Sequence, residues 1–277
     1  MKRYVMISGA TGGLGKAFAV ECASRGWHLY LTDLNPDALE VLSKSLRGTY
    51  GVQVRWQACD LTDAGQRTAL FEALAAEEAR FVALINVAGG DHEGRFCEQP
   101  REHIRNILRL NVEAALEMTH ALLSLRDTTG VFRVINVASL AAFYPMPVKA
   151  TYAASKRFLV DFSLALRNEL RDLGVTVTAL CPAGMPTTPE TVQAIDSQGI
   201  LGQLTTLNTG AVANQALNAA LKGQALVIPG RLNQMLQLAG RLAPTGWVVS
   251  LIGSRWRASQ AARKARAQVM PALPVSP

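Results

Sequence analysis

Tyr4-Val-Met-Ile-Ser8, Gly9-Ala-Thr-Gly-Gly13-Leu-Gly15 and Lys16-Ala-Phe-Ala-Val-Glu-Cys-Ala-Ser-Arg25 follow one another without a break. The first block is an apolar strand, the second a glycine turn, and the third has the pattern of a helix. Strand, glycine turn and helix start are the setting in which a Gly-rich loop receives a dinucleotide pyrophosphate. Glycine permits a tight turn there and lets backbone approach phosphate closely.

Outward from this unit, apolar runs recur near 4–8, 28–32, 52–57, 82–86, 131–138, 175–181 and 225–228, with helical patterns between them. Strand alternating with helix argues a parallel sheet covered on both faces. A chain of 277 residues fits one large α/β domain with a sizeable core better than two small ones. The expected fold is therefore α/β, a doubly wound seven-stranded parallel sheet of Rossmann type. It is expected over residues 1–230, with a basic amphipathic helical tail over 231–277.

The chemistry is read from Thr151-Tyr-Ala-Ala-Ser-Lys156 and from Ser139, which ends the run Val134-Ile-Asn-Val-Ala-Ser139. Tyr152 and Lys156 stand at i and i+4, on one face of a helix, so an ammonium can sit beside a phenol and favour its ionised form. A phenol with a depressed pKa is a usable acid/base near neutrality. Tyr and Lys at this spacing also occur on ordinary solvated helix faces, and a serine at a strand end often does no more than satisfy backbone.

Together these motifs resemble the short-chain dehydrogenase/reductase family, over residues 4 to about 190 and in the family's order. The glycine motif reads Ser8-Gly9-x-x-x-Gly13-x-Gly15, with Ser8 in place of the family's Thr. The Asn-Asn-Ala-Gly motif reads Asn86-Val87-Ala88-Gly89 and departs at its second Asn. The Pro-Gly segment reads Pro182-Ala183-Gly184-Met185-Pro186-Thr187. The resemblance implies a catalytic tetrad of Asn111, Ser139, Tyr152 and Lys156. Tyr152 would carry the proton to a ketone or from an alcohol while hydride passes to or from nicotinamide. Lys156 would hold the nicotinamide ribose and lower the tyrosine pKa, Ser139 would bond the substrate oxygen, and Asn111 would anchor a water leading to solvent. Cofactor contacts are implied for Gly9, Thr11, Gly13, Leu14, Gly15, Asp33, Asp60, Leu61, Asn86, Ala88, Gly89, Tyr152, Lys156, Pro182, Met185 and Thr187, with Asp60 at the adenine. No metal is expected: His28, His92, His103 and His120 lack ligand spacing. His92, in the loop after the fourth strand, is a candidate for reaching substrate, against a plain solvated loop histidine.

Cofactor choice is read from Asp33, at the end of the second strand. A carboxylate there can accept both ribose hydroxyls of NAD. Facing the 2′-phosphate of NADP, two like charges about 4 Å apart would cost roughly 4 kcal/mol at an effective dielectric near 20. Gly12 and Leu34 supply no offsetting base, so NAD(H) is expected and NADP disfavoured. The competing role for Asp33 is a helix cap before Asn35-Pro36-Asp37.

Leu140-Ala-Ala-Phe-Tyr-Pro-Met-Pro-Val148 is expected to line the substrate pocket, and it holds no charge. An anionic substrate would lose hydration there without a partner. A lid over 188–207, with Ile195, Ile200, Leu201 and Leu204, adds apolar surface. The expected substrate is a bulky apolar alcohol or ketone, steroid-like or lipid. A 3-oxoacyl thioester reductase using NADPH is the alternative within the fold, and a catalytically silent nucleotide-binding scaffold the alternative outside enzymes.

Cys22, Cys59, Cys97 and Cys181 are scattered and read as buried free thiols. The apolar stretch after Met1-Lys-Arg3 is too short for a signal peptide, and no run approaches the roughly 20 residues that span a bilayer. A cytoplasmic protein is expected. The net charge is +7, yet all 21 acidic residues lie between Glu21 and Asp196. Arg231, Arg241, Arg255, Arg257, Arg263, Lys264 and Arg266 alternate with Met235, Leu242, Trp247, Leu251 and Trp256. Such a tail can lie on an anionic membrane surface, or can cap the pocket or form a subunit interface. The interspersed apolar residues argue against nucleic acid. The resemblance implies a homo-dimer through helices near 103–126 and 151–173, or a tetramer.

Overall fold

The structure, a computed structural model, describes residues 2–77, 79–186 and 205–254. Thr187, most of the segment read as a lid, and the chain beyond Ser254 lie outside the described residues. Seven strands, β1 (Arg3–Ser8), β2 (His28–Asp33), β3 (Val54–Ala58), β4 (Arg80–Asn86), β5 (Phe132–Val137), β6 (Val175–Leu180) and β7 (Leu226–Val227), form one sheet in the order β3-β2-β1-β4-β5-β6-β7. All six pairings are parallel. This is the doubly wound arrangement expected from the alternating pattern.

Side chains alternate across β1. Val5 and Ile7 enter a core with Leu14 and Phe18 of α1 (Gly13–Ser24), Leu39 and Leu46 of α2 (Pro36–Tyr50), and Ala213 and Leu217 of α7 (Thr209–Leu221). Tyr4 and Met6 enter the opposite core with Leu70 and Leu74 of α3 (Ala64–Ala76) and Met118 and Leu122 of α5 (Ala114–Ser124). The period of two in the strand thus serves two helical layers. α4 (Arg101–Leu108) runs through a π-helical turn (Arg109–Glu113) into α5, and α6 (Ala150–Glu169) packs beside β6.

Local signals fix the helix ends. The Asn35 side chain accepts the Ala38 N–H, Pro36 occupies the first turn, and Gly51 closes α2 with φ +67°. Asp63 caps α3 in the same manner through Gln66 N–H. After β7, α8 (Arg231–Leu242) ends before Pro244, and residues 245–254 are again helical. The order reverses between β1 and β4, where Ser8 stands beside Asn86, so a crevice opens beyond the carboxyl ends of these strands.

Candidate active site

The glycine turn is shaped by close approach. Gly9 has φ +66°, and a Cβ on it would lie 2.7 Å from the Ala88 nitrogen. A Cβ on Gly15 would lie 2.0 Å from the Gly9 carbonyl oxygen. Only glycine lets the start of α1, the turn and the loop after β4 meet here. Gly12 precedes α1 and offers no side-chain cap, so the start of the helix has no side-chain acceptor from its cap residue. A helix start of this kind suits an anion such as a pyrophosphate.

Asp33 Oδ2 accepts the Thr11 N–H at 2.8 Å and Oδ1 accepts the Leu34 N–H at 2.7 Å. The helix-cap role falls to Asn35 instead. Asp60 Oδ1 accepts both the backbone N–H and the hydroxyl of Thr62, and Leu61 is buried beside it. Met185 packs against the core that contains Ala10 and Leu14, and the Pro182 carbonyl accepts the Leu140 N–H at 2.8 Å. Asn86, expected as a cofactor contact, ends β4 beside Ser8 of β1. Its amide donates to Asn136 Oδ1 at 2.9 Å and to Thr119 Oγ1 at 3.1 Å, in a buried network that ties β4 to β5 and α5. The core satisfies only the nitrogen of this amide, and Asn86 Oδ1 is buried without a partner.

Ser139, Tyr152, Lys156 and Asn111 converge beyond the ends of β4 and β5. Lys156 is buried and donates to the Val137 carbonyl at 2.9 Å, with its Nζ 5.9 Å from the centre of the Tyr152 ring. A Cβ on Gly89 would stand 2.9 Å from Lys156 Nζ and 3.1 Å from Asn111 Oδ1, so three of the motifs touch at one point. Asn111 lies in the π-helical turn, fully buried. Its amide accepts from Gly90 N–H at 2.8 Å and donates to Gly90 O at 2.9 Å and Ser155 Oγ at 3.0 Å. The amide is thus taken up by protein.

Burial, not the lysine, controls the phenol. Desolvation pushes Tyr152 up to about 12, the nearby Asp91 carboxylate works in the same direction, and a hydrogen bond from Ser139 opposes them. The depressed pKa expected from the spacing is therefore not found. Burial also brings Lys156 down to about 8, opposed by Asp91 and Cys181. Near neutrality the resting pair is a neutral phenol and an ammonium.

Asp91 was not legible as a site residue. It pairs with Lys149, whose Nζ lies 5.8 Å from the centre of the Tyr152 ring. The segment from Leu140 to Val148 is uncharged, as read, and the next residue brings this ion pair to its edge. Val148 itself holds φ +61°, a left-handed conformation that costs a β-branched residue on the order of 1–3 kcal/mol. His92 stands edge-on to His103 with centroids 5.1 Å apart, so its ring is engaged by α4. Cys22, Cys59 and Cys181 are buried free thiols as expected, whereas Cys97 is exposed.

The sequence pattern of the short chain dehydrogenases matches residues 3–198. The chain belongs to the short-chain dehydrogenase family. Among its relatives is a very-long-chain 3-oxoacyl-CoA reductase of Laccaria bicolor, 30% identical over 181 residues, covering 64% of this chain and 53% of the relative. A sulfoacetaldehyde reductase of Chromohalobacter salexigens is 36% identical over 184 residues, covering 66% of this chain and 72% of that one. The chain spans about half the length of the first of these relatives. A solved short-chain dehydrogenase from Sphingobium yanoikuyae in complex with NADPH superposes with a TM-score of 0.73 at 26% identity, covering 99% of this chain and 98% of the other.

Proposed function

We propose that this short-chain dehydrogenase is a nicotinamide-dependent oxidoreductase that moves hydride between cofactor and a secondary alcohol or ketone. The observation that carries the proposal is the meeting of Tyr152, Ser139, Lys156 and Asn111 at the mouth of the glycine-lined crevice. Bound nicotinamide supplies or accepts the hydride. Tyr152, neutral at pH 7, holds the proton that a ketone oxygen needs as it becomes an alkoxide, and the Ser139 hydroxyl stands beside it. The resting protonation states suit the reductive direction. The closeness of Lys156 Nζ to Gly89 supports a contact with the nicotinamide ribose, and the uncapped start of α1 supports one with the pyrophosphate.

Asp33 supports NAD(H): each of its oxygens accepts one backbone N–H, and each can accept a second bond from a ribose hydroxyl. The Sphingobium relative was solved with NADPH, which supports NADP equally, and Asp33 is the feature that supports NAD(H) here. For the substrate, the uncharged wall over Leu140–Val148 supports a bulky apolar ketone. The name of the Laccaria relative supports the second reading, a 3-oxoacyl thioester. Leu108 and Phe158, both exposed, and Phe162 stacked on Phe158 support a dimer through α4 and α6.

A panel of bulky ketones, 3-oxoacyl thioesters and small aldehydes with NADH and NADPH, followed by dinucleotide absorbance, tests the reading. Tyr152→Phe should retain dinucleotide binding and lose at least ~10²-fold in turnover. Turnover near the wild-type rate in that variant would remove Tyr152 from the chemistry. Tight dinucleotide binding with no oxidation across the panel would favour the silent scaffold.

A further inference from the structure

Eight bases and no Asp or Glu follow Asp196. Within this acid-free stretch, α8 carries Met235, Leu238 and Leu242 on one stripe, 67%, 56% and 78% exposed. Residues 245–254 then place Trp247 and Leu251 one turn apart, 79% and 63% exposed. A surface helix ordinarily turns such residues to the core. Here α8 is already attached by its other side. The Asn233 amide donates to the Thr205 and Pro229 carbonyls at 3.1 and 2.8 Å, and a Cβ on Gly240 would fall 2.0 Å from Tyr144 Cε1. The helix therefore has one face fixed to the body and a second apolar face turned outward.

Residues 197–277, which include this face, hold no acid, so the same face of a second copy would offer the bases no opposite charge. Nucleic acid would match the bases and leave the apolar side chains without a partner. An anionic bilayer surface satisfies both, with apolar side chains entering the headgroup boundary and bases drawn to anionic lipid. Among the described residues no helix is long and apolar enough to cross a bilayer. We propose that α8 and residues 245–254 dock on the surface of an anionic lipid bilayer through Met235, Leu238, Leu242, Trp247 and Leu251. Because Gly240 of α8 holds the Tyr144 ring, docking sets the wall that follows Ser139 beside the lipid phase. That consequence for substrate access rests on the proposed function, whereas the docking itself does not.

The full-length protein is sedimented with vesicles of phosphatidylcholine alone and of phosphatidylcholine mixed with phosphatidylglycerol, and tryptophan emission is read in parallel. Binding is expected on the mixed vesicles only, with a blue shift. It should weaken as salt rises from about 0.1 M to about 1 M and the Debye length falls from ~10 to ~3 Å. Leu242→Ser combined with Trp247→Ser should weaken it at least ~10-fold, while lipid-free NADH binding and thermal midpoint stay unchanged, since both side chains lie outside the core. Absent binding, equal binding to both vesicle types, or full binding by the double variant would overturn the proposal. So would a double variant that changes oligomeric state in lipid-free solution while vesicles capture neither protein, because the face would then join copies of the chain. None of these readouts depends on turnover, so a failure here is separable from a failure of the proposed reaction.

Discussion

Each oxygen of Asp33 is engaged once by backbone, at Thr11 and Leu34, so the carboxylate fixes the glycine turn in addition to the ribose contact proposed for it. Asp33→Ser should loosen the turn, weaken NADH, and move the NADPH-to-NADH preference toward NADPH by relieving a like-charge contact. Dissociation constants for both dinucleotides, measured on wild type and variant, check it; a ratio that stays put would assign the choice to another group. Gly89 offers a different test. A Cβ there would meet Lys156 Nζ at 2.9 Å and Asn111 Oδ1 at 3.1 Å, both buried and held by other bonds. Gly89→Ala should therefore displace the ammonium and lower turnover by about 10-fold or more, with circular dichroism unchanged. Tyr152 and Lys156 were legible from helix spacing, and Gly89 and Ser139 from the family's motifs in their order along the chain. Asp91 and Lys149 were not, since residues in two different loops form their pair and nothing in either segment announces the other.

At the scale of elements, local signals carried the strands well where apolar runs were bounded by polar turns. The run read at 175–181 is β6 at Val175–Leu180, and the run at 131–138 is β5 at Phe132–Val137. The shortest strand was overestimated: 225–228 contracts to Leu226–Val227, because β7 is an edge that pairs with only the last two residues of β6. What the sequence hid was the brace between α3 and α5. Arg67 is fully buried, bonds the Leu61 carbonyl at 2.8 Å and Glu117 at 2.6 and 2.9 Å, and also pairs with Glu113 in the π-helical turn. An arginine in a helix reads as solvated until tertiary structure closes over it. Its two carboxylates remain partly exposed and can rehydrate when it is removed, which limits the loss. Arg67→Ala should still cost about 3 kcal/mol, from an emptied buried site and an unpaired Leu61 carbonyl. Urea denaturation with an unchanged slope reads it directly, and a loss under about 1 kcal/mol would show that the brace adds little.

For the whole molecule, the site imposes a pH dependence on folding. Lys156 has a folded pKa of about 8 against an ordinary 10.5, lowered first by burial. Between those values the unfolded chain binds more protons than the folded one, so this group makes stability rise with pH across the window. A shift of that size corresponds to roughly 3 kcal/mol, an expense the fold carries at neutral pH to keep an ammonium near Tyr152. Tyr152 acts in the opposite sense and at higher pH. Its folded value of about 12 lies above the ordinary 10, so stability is full below pH 10 and falls as pH climbs toward 12. The two windows barely overlap, and a difference measurement isolates the lysine. Lys156→Met removes the titrating group while roughly keeping its volume. The stability of the wild type relative to this variant should grow by roughly 3 kcal/mol from pH 7 to pH 10.5. Denaturation curves taken in steps across that range check the sign as well as the size. Parallel curves would mean that Lys156 titrates alike in folded and unfolded chains, and a gap that shrinks with pH would mean that the ammonium is stabilised in place by groups that outweigh its burial.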